Sequence, residues 1–193
     1  MNARRVVTAL AFLAAGCASG PEVAKPALST VALKNADFAM DPDPERDCPP
    51  QWWCTVHADP SAFRFSVERD GRSGNRLLRV ERVKNEPWAL ASQVIEAQAV
   101  LGKRIRLSVD VDGSLLQGAG AGPILLVENI SGQILAHDQR LQTRSPGWRT
   151  VSTEVDVLAG ASMVKVHLVM EGGGVARYDN VRLEVLGPAT PKP

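Results

Sequence analysis

Two cysteines and two tryptophans lie within one short segment. From Cys48 to Cys54 the chain reads CPPQWWC, a pattern that occurs nowhere else in the sequence. Two thiols at this spacing could bind a metal, act as a redox pair or form a disulfide, and an exposed indole ring could stack on an apolar ligand surface. Which of these roles the two cysteines have depends on the cellular compartment of the protein, because disulfides form and persist in oxidising environments.

The N-terminal residues indicate that compartment. Arg4 and Arg5 are followed by an apolar run over residues 6–16, and small residues lead directly into Cys17. This pattern is typical of a secretory signal peptide, and the run is shorter than the roughly 20 residues that a transmembrane helix needs. We therefore expect residues 1–16 to be a signal peptide.

The segment LAAGC, which ends at Cys17, resembles the lipobox of bacterial lipoproteins. In that family the cysteine is lipidated and begins the mature chain, so the resemblance implies a lipid anchor in the cell envelope. Ala18 follows the cysteine, which by similarity to enterobacterial sorting rules indicates the outer membrane. Residues 17–30 lack apolar periodicity, and we expect a lipidated flexible tether. The alternative is an ordinary signal peptide that leaves Cys17 as a free thiol.

The number of cysteines fits this interpretation. The chain has three, so lipidation of Cys17 leaves Cys48 and Cys54 as the possible intramolecular pair. His57 would bring the nearby metal ligands to three, whereas a structural zinc needs four. The spacing also differs from the CxxC of redox proteins. We expect a structural disulfide that closes the loop containing the two tryptophans.

Composition and motifs argue against several classes of function. The chain has 22 basic and 21 acidic residues, a formal net charge of +1, and no basic cluster that would attract nucleic acid. His57, His137 and His167 lie in distant segments, without a GxSxG or HExxH motif. The glycine runs at 118–122 and 172–174 lack the Lys-Ser/Thr of a phosphate-binding loop, and we expect them to be ordinary loops. The sequence therefore predicts a protein that is not an enzyme; the alternative is a glycan-active enzyme, since any β-sandwich has several carboxylates that could act as a pair.

Residues 31–187 consist of short segments in which apolar and polar residues alternate. Examples are LLRVERV, KRIRLSVDV, PILLVENI and MVKVHLVM, and breaks rich in glycine, asparagine, aspartate and serine separate them. Period-two alternation with regular turns predicts a single all-β domain, an antiparallel β-sandwich or barrel. Residues 188–193 should form a disordered tail.

Three motifs and the order of the segments carry a resemblance to a known family. Gln93 precedes the central strands, Gly147 and Trp148 lead a later strand, and the closing segment reads YDNV from Tyr178. In this order they resemble the carbohydrate-binding modules of the families 4 and 9 type. The resemblance covers nearly the whole mature domain, and it implies a jelly-roll sandwich with a galactose-binding-like fold that binds polysaccharide.

The resemblance also divides the aromatic residues into two groups. Four occupy positions that the family uses for packing in the core or at sheet edges: Phe38, Trp53, Trp148 and Tyr178. Trp52 and Trp88 remain as rings that could stack on the apolar face of a sugar. We therefore expect Trp53 to enter the core and Trp52 to face outward.

Polar partners for a sugar should lie on the concave face of one sheet. Alternation places Arg104, Arg106, Ser108 and Asp110 on one side of their strand, and places Lys165, His167 and Glu171 on one side of a later strand. Among these we expect ligand contacts from Arg104, Arg106, Asp110 and His167. The alternative is that all of them form the hydrated face of an ordinary sheet.

Asp37 and Asp179 occupy positions where modules of this kind often hold a structural calcium. Calcium takes six to eight oxygen ligands, so backbone carbonyls and water would have to complete the site. The alternative is that both are ordinary turn residues.

The leading functional hypothesis is a lipoprotein of the cell envelope that binds a glycan or polysaccharide through a non-catalytic jelly-roll module. The alternative is a structural or protein-interaction β-sandwich of the envelope that has no sugar site. Fold resemblance alone does not separate the two.

Overall fold

The structure, a computed structural model, describes residues 28–71 and 73–190. Within them, ten β-strands and two 3-10 helices follow one another along the chain. The strands are β1 Ser29–Val31, β2 Trp53–Val56, β3 Phe63–Arg69, β4 Arg76–Arg82, β5 Trp88–Glu96, β6 Lys103–Asp112, β7 Leu116–Glu128, β8 Ile134–Gln139, β9 Trp148–Val157 and β10 Met163–Pro188; the 3-10 helices are Pro60–Ala62 and Ala97–Val100.

The strands form two antiparallel sheets that share β10. Its first half lies between β5 and β7 in the front sheet, whose order is β2-β5-β10-β7-β8. Its second half pairs with β4 and β6 in the back sheet, whose order is β3-β4-β10-β6-β9, and β1 pairs with β10 near its end. The protein is therefore an antiparallel jelly-roll sandwich, and the predicted fold class is confirmed.

Glycines make the passage of β10 between the sheets possible. Gly172 and Gly174 have φ angles of +89° and +84°, a region that other residues rarely adopt. A Cβ atom at Gly174 would lie 2.1 Å from the carbonyl oxygen of Leu115. The expectation that both glycine runs are loops is wrong, because this run lies inside β10 and the run at 118–122 lies inside β7.

The core lies between the sheets and follows the alternation of the strands. Residues of β6 and β10 illustrate it, since every second side chain is at most 1% exposed: Ile105, Leu107, Val109 and Val111 of β6, and Val164, Val166, Leu168 and Met170 of β10. Tyr178 is also fully buried, and its hydroxyl donates to the carbonyl of Val169 at 2.7 Å. Burial of apolar surface on this scale is the main source of stability in such a domain.

The loop between Cys48 and Cys54 is closed by the predicted disulfide. Trp52 is 1% exposed and packs on Phe38, with 5.6 Å between the ring centroids. Trp53 is 68% exposed. The expectation that Trp53 enters the core and Trp52 faces outward is therefore wrong.

The alternation of side chains along β2 explains why Trp53 is exposed and Trp52 is buried, the reverse of the prediction. Cys54 pairs with buried Ala91 and packs against the core, so Trp53 on the same strand must point the other way. Trp52 precedes the strand, and Gln51, with a φ angle of +70°, turns the chain so that the Trp52 ring enters the core. The indole Nε1 there donates to the carbonyl of Asn35 at 3.1 Å.

The ordered domain extends slightly beyond the predicted bounds of 31–187. β1 begins at Ser29 and pairs with residues 183–185, and β10 ends at Pro188. The predicted signal peptide and the lipidation site Cys17 lie outside the described residues. No helix within residues 28–71 and 73–190 is long and apolar enough to cross a membrane.

Candidate functional site

The outer surface of the front sheet, called the front face below, combines aromatic and polar side chains. Pairing register and alternation place these residues on it: Trp53 and Thr55 of β2; Trp88, Leu90, Ser92 and Val94 of β5; Lys165, His167, Val169 and Glu171 of β10; Ile124, Leu126 and Glu128 of β7; and His137 and Gln139 of β8. Its centre is recessed, because Val169 and Ser92 point away from the core and are still only 3% and 9% exposed.

Trp53 supplies the most exposed ring of this face. It lies in register with Ser92, which in turn lies opposite His167 on the next strand. Neighbouring strands are about 4.8 Å apart, so the backbone positions of Trp53 and His167 are about 10 Å apart across the sheet. An aromatic platform therefore borders the recessed polar centre.

Trp88 is the second ring of the front face, as the sequence suggested. It is half-buried at the start of β5, four residues before Ser92, so about 14 Å separates the two positions along the strand. The His57 imidazole meets the indole edge-on with 5.5 Å between centroids, and Nδ1 of His57 lies 3.0 Å from a carboxylate oxygen of Glu86. These contacts fix the orientation of Trp88.

His167 lies near the centre of the front face in its neutral form. Burial lowers the pKa of the imidazole to about 4, and the nearby charges of Lys165 and His137 contribute in the same direction. Nδ1 lies 2.7 Å from the Ser92 hydroxyl. Among the described residues the other ring nitrogen has no hydrogen-bond partner, so it remains available to a ligand hydroxyl.

Two further polar pairs cross the front face between strands. The Gln139 amide donates to Glu171 at 2.9 Å, and the Lys165 ammonium donates to Glu128 at 2.8 Å. Each pair fixes the direction of its side chains and leaves further lone pairs and hydrogens for a ligand. The face therefore offers several oriented donors and acceptors beside two rings.

The chain at residues 140–142 forms a rim along β7. A Cβ atom at Gly122 would lie 2.0 Å from the carbonyl oxygen of Arg140, and one at Gly120 would lie 2.6 Å from that of Gln142. Glycine is required at both positions because the backbone of residues 140–142 occupies the space of a side chain. This rim helps to recess the centre of the face.

The structure does not bring the predicted polar residues together. Arg104, Arg106 and Asp110 lie on the outer surface of the back sheet, the back face, on the opposite side of the sandwich from His167 and Trp88. Alternation tells which side of its own strand a residue occupies, but it does not tell to which sheet that strand belongs.

The back-face arginines are held by carboxylates. Glu154 accepts from Nε of Arg104 at 3.0 Å and from Nε of Arg106 at 2.8 Å. Asp110 accepts from the Asn180 amide at 2.9 Å. Because these charges already satisfy one another, the hydrated-face alternative describes this side of the sandwich better than a ligand site does.

Asp37 and Asp179 line one pocket together with Asn180. Burial raises the pKa of Asp179, and the negative charges of Asp110 and Asp37 add to the effect. Within the described residues, no group of three or more histidine, cysteine, aspartate or glutamate side chains is arranged to hold a metal ion. Two carboxylates alone do not make the six-oxygen set of calcium, so the calcium site stays a prediction.

Of the predicted ligand-binding residues, only Trp88 and His167 lie on the front face. Trp53, Ser92 and Gln139 were missed. The signal in the sequence for this face was the alternation of polar residues along β10, at Lys165, His167 and Glu171. Once the pairing register is known, the residues that neighbour them on β5 and β7 can be placed on the same face.

Comparisons with known proteins support the fold. No family model matches the sequence, and no curated protein is similar enough to count as a match. Solved structures do match. One is the CBM22-1 xylan-binding domain from Paenibacillus barcinonensis, with a TM-score of 0.52 and 13% identity over 80% of this chain and 94% of that chain. Another is a C-terminal family 22 carbohydrate binding module of Clostridium thermocellum, with a TM-score of 0.51 and 18% identity over 78% and 100%.

A third similar structure belongs to a larger protein. It is the enzymatically active domain of tailspike protein 4 from bacteriophage CBA120, with a TM-score of 0.62 and 10% identity over 79% of this chain. The chain spans about a fifth, 21%, of that domain. At these identities the similarities establish the fold, which is the jelly roll of carbohydrate-binding modules.

Proposed function

We propose that this protein is a non-catalytic, glycan-binding module that uses its front face, in a lipoprotein of the cell envelope. The observation that carries the proposal is the position of Trp53, a largely exposed ring at the border of a recessed polar surface. Tryptophan is enriched at binding surfaces because its large apolar ring also carries a polar N–H group, and the neighbours of Trp53 here are polar.

The chemistry of the front face suits a sugar. A pyranose has an apolar C–H face and a rim of hydroxyls, so its site needs a flat ring beside convergent polar groups. Trp53 and Trp88 provide the rings, and His167, Gln139 and Glu171 provide donors and acceptors. The solved structures of similar fold include xylan-binding modules, which supports the same class of ligand.

The arrangement of acidic groups favours binding over glycoside cleavage. A glycosidase needs one carboxylic acid with a raised pKa beside a second carboxylate. Burial raises the pKa of Asp179, which shares a pocket with Asp37, but this pocket lies at the back sheet and contains none of the front-face rings. On the front face, Glu128 is paired with Lys165 and Glu171 is held by Gln139.

The membrane anchor and the calcium ion are separate parts of the proposal. Lipidation of Cys17 would hold the module at the envelope, because multiple acyl chains give stable anchoring. Cys17→Ser should release the protein from the membrane fraction, and continued membrane association would contradict the anchor. For calcium at Asp37 and Asp179, a thermal midpoint unchanged by chelator would remove the ion from the proposal.

Affinity electrophoresis of the full chain in a panel of soluble polysaccharides tests the binding site. Trp53→Ala should weaken binding at least about tenfold, which corresponds to about 1.4 kcal/mol. Trp148→Ala is the matched control, because it removes a 37% exposed tryptophan from the back sheet. Its binding should match that of the unmodified chain.

Each other outcome has a defined meaning. Loss of binding in Trp148→Ala alone would move the site to the back face and contradict the proposal. Failure of the unmodified chain to bind any polysaccharide in a broad neutral and acidic panel would favour the alternative, an envelope protein whose partner is another protein.

A further inference from the structure

A pocket of about 270 Å³ lies at the edge of the front face next to Trp53. Its apolar lining includes Val94, Ile95 and the two adjacent tryptophans, and its polar lining includes Lys34, Arg46 and Gln51. It continues the surface that Trp53 borders, because Val94 and Trp53 belong to both. A chain of sugars on the front face could therefore place one unit or substituent in it.

The lining of the pocket carries positive charge without a negative counterpart. Lys34 and Arg46 line it, and no aspartate or glutamate does. Both cations are exposed, and neither takes part in any ion pair found among the described residues. The back-face arginines differ, since Arg104 and Arg106 share Glu154. The two side chains therefore offer hydrogen-bond donors to whatever enters the pocket; Glu45 and Asp47 flank Arg46 in the chain, but neither of them lines the pocket.

The backbone around the pocket is held in place by specific contacts. The amide of Lys34 donates to the side-chain oxygen of Gln93 at 3.0 Å, and the Gln93 amide group donates back to the Lys34 carbonyl. The disulfide and the buried Trp52 fix the opposite side at Gln51. The side chain of Lys34 thus extends from a backbone that is held in place, which lowers the entropic cost of binding.

From this lining, and building on the proposed function, we infer that the pocket binds the anionic group of an acidic glycan. A uronate carboxylate and a sulfate ester share the required chemistry, a planar or tetrahedral oxyanion that accepts hydrogen bonds from arginine and lysine. The sugar ring that carries the group lies against Trp53. The ligand of the front face is then an acidic polysaccharide and not a neutral one.

A matched pair of polysaccharides separates charge from shape. Polygalacturonate and its fully methyl-esterified form have the same backbone, and only the first is charged; dextran sulfate and dextran test the sulfate ester in the same way. The full chain should bind each charged form at least about tenfold more tightly at low salt. The preference should shrink toward 1 M salt, because the Debye length falls to about 3 Å.

Three variants locate the preference in the pocket. Lys34→Gln together with Arg46→Gln should abolish the preference for the charged forms. Arg149→Gln is the matched control, because Arg149 is exposed on β9 of the back sheet and has no ion pair within the described chain. Thermal midpoints of all variants should stay close to that of the unmodified chain, since these side chains are exposed.

The outcomes distinguish failure of this inference from failure of the proposed function. If charged and uncharged forms bind equally and Trp53→Ala still weakens both, the front face binds glycans and the anionic pocket is wrong. A loss in Arg149→Gln as large as in the double variant would show general charge attraction and overturn the pocket. If no polysaccharide binds in either form, both proposals fail.

Discussion

The two outer faces of this sandwich differ in how their polar side chains are paired. On the back face, arginines are neutralised by carboxylates across the strands, as in the pairs Arg104–Glu154, Arg106–Glu154 and Arg177–Glu68. The front face also has one ion pair, Lys165–Glu128, but its centre holds a neutral imidazole, a hydroxyl and an amide that donates to Glu171, and an exposed indole borders it.

The charged groups of the back face are already paired with one another, whereas polar groups of the front face can still form hydrogen bonds with a ligand. A charged group that is already paired loses its partner when a ligand displaces it, so little is gained. A recessed surface of neutral donors and acceptors loses only water. We therefore expect changes of exposed front-face side chains such as Trp53 to alter binding, and changes of buried side chains or of back-face ion pairs to alter stability.

The largest expected effect is the difference in stability between variants of the two adjacent tryptophans. Trp52→Ala removes a fully buried ring and should lower the free energy of unfolding by about 3 to 5 kcal/mol. Trp53→Ala removes an exposed ring and should change it by less than about 0.5 kcal/mol. Denaturant unfolding monitored by circular dichroism measures both. A similar loss of stability in the two variants would contradict the assignment of Trp53 to a binding surface.

The next effect is a pH dependence that originates on the front face. The pKa of His167 falls from 6.5 to about 4 on folding, so the unfolded chain binds more protons between these values. Its neutral form therefore stabilises the fold above pH 6.5, and this contribution is lost as the pH falls toward 4. At about 1.4 kcal/mol per pKa unit, the loss is on the order of 2 to 3 kcal/mol.

His167→Gln provides the control for this pH dependence. Glutamine does not titrate and can retain a hydrogen bond to Ser92, so the variant should lose less stability between pH 6.5 and pH 4. Thermal midpoints measured at half-unit steps would show the difference. If the unmodified chain and the variant follow the same curve over this range, the imidazole is not buried as described.

The sequence predicted the fold well because the relevant information is local. Alternation in segments such as KRIRLSVDV identifies strands and their apolar sides, and the cysteine count with the proposed lipobox identified the pair Cys48 and Cys54. Both follow from short stretches of chain. The order of those segments was enough to indicate the jelly roll.

The candidate site was harder to predict because it depends on long-range pairing. His167 and Arg106 both alternate outward, but the pairing that places them on different sheets joins residues far apart in the chain. The orientation of Trp53 likewise depends on its register with Ser92 and on the disulfide at the next residue. The disulfide was predicted from the segment CPPQWWC, but the register with Ser92 is not visible in that segment.

The smallest expected effect tests the back face. Although burial alone would raise the pKa of Glu154, hydrogen bonds from Arg106 and Arg104 hold it below its usual value. This carboxylate therefore stabilises the fold above its unfolded pKa, and the contribution is lost as the pH falls through the lower folded value. Its loss thus comes at more acidic pH than that of His167.

Glu154→Gln should cost about 1 kcal/mol at neutral pH, because the side chains are partly exposed and water screens the pairs. The cost should shrink in 1 M salt, and glycan affinity should not change. Unfolding free energies at two salt concentrations and one affinity measurement check this. A clear drop in glycan affinity would show that the back face takes part in binding, and the contrast between the two faces would then fail.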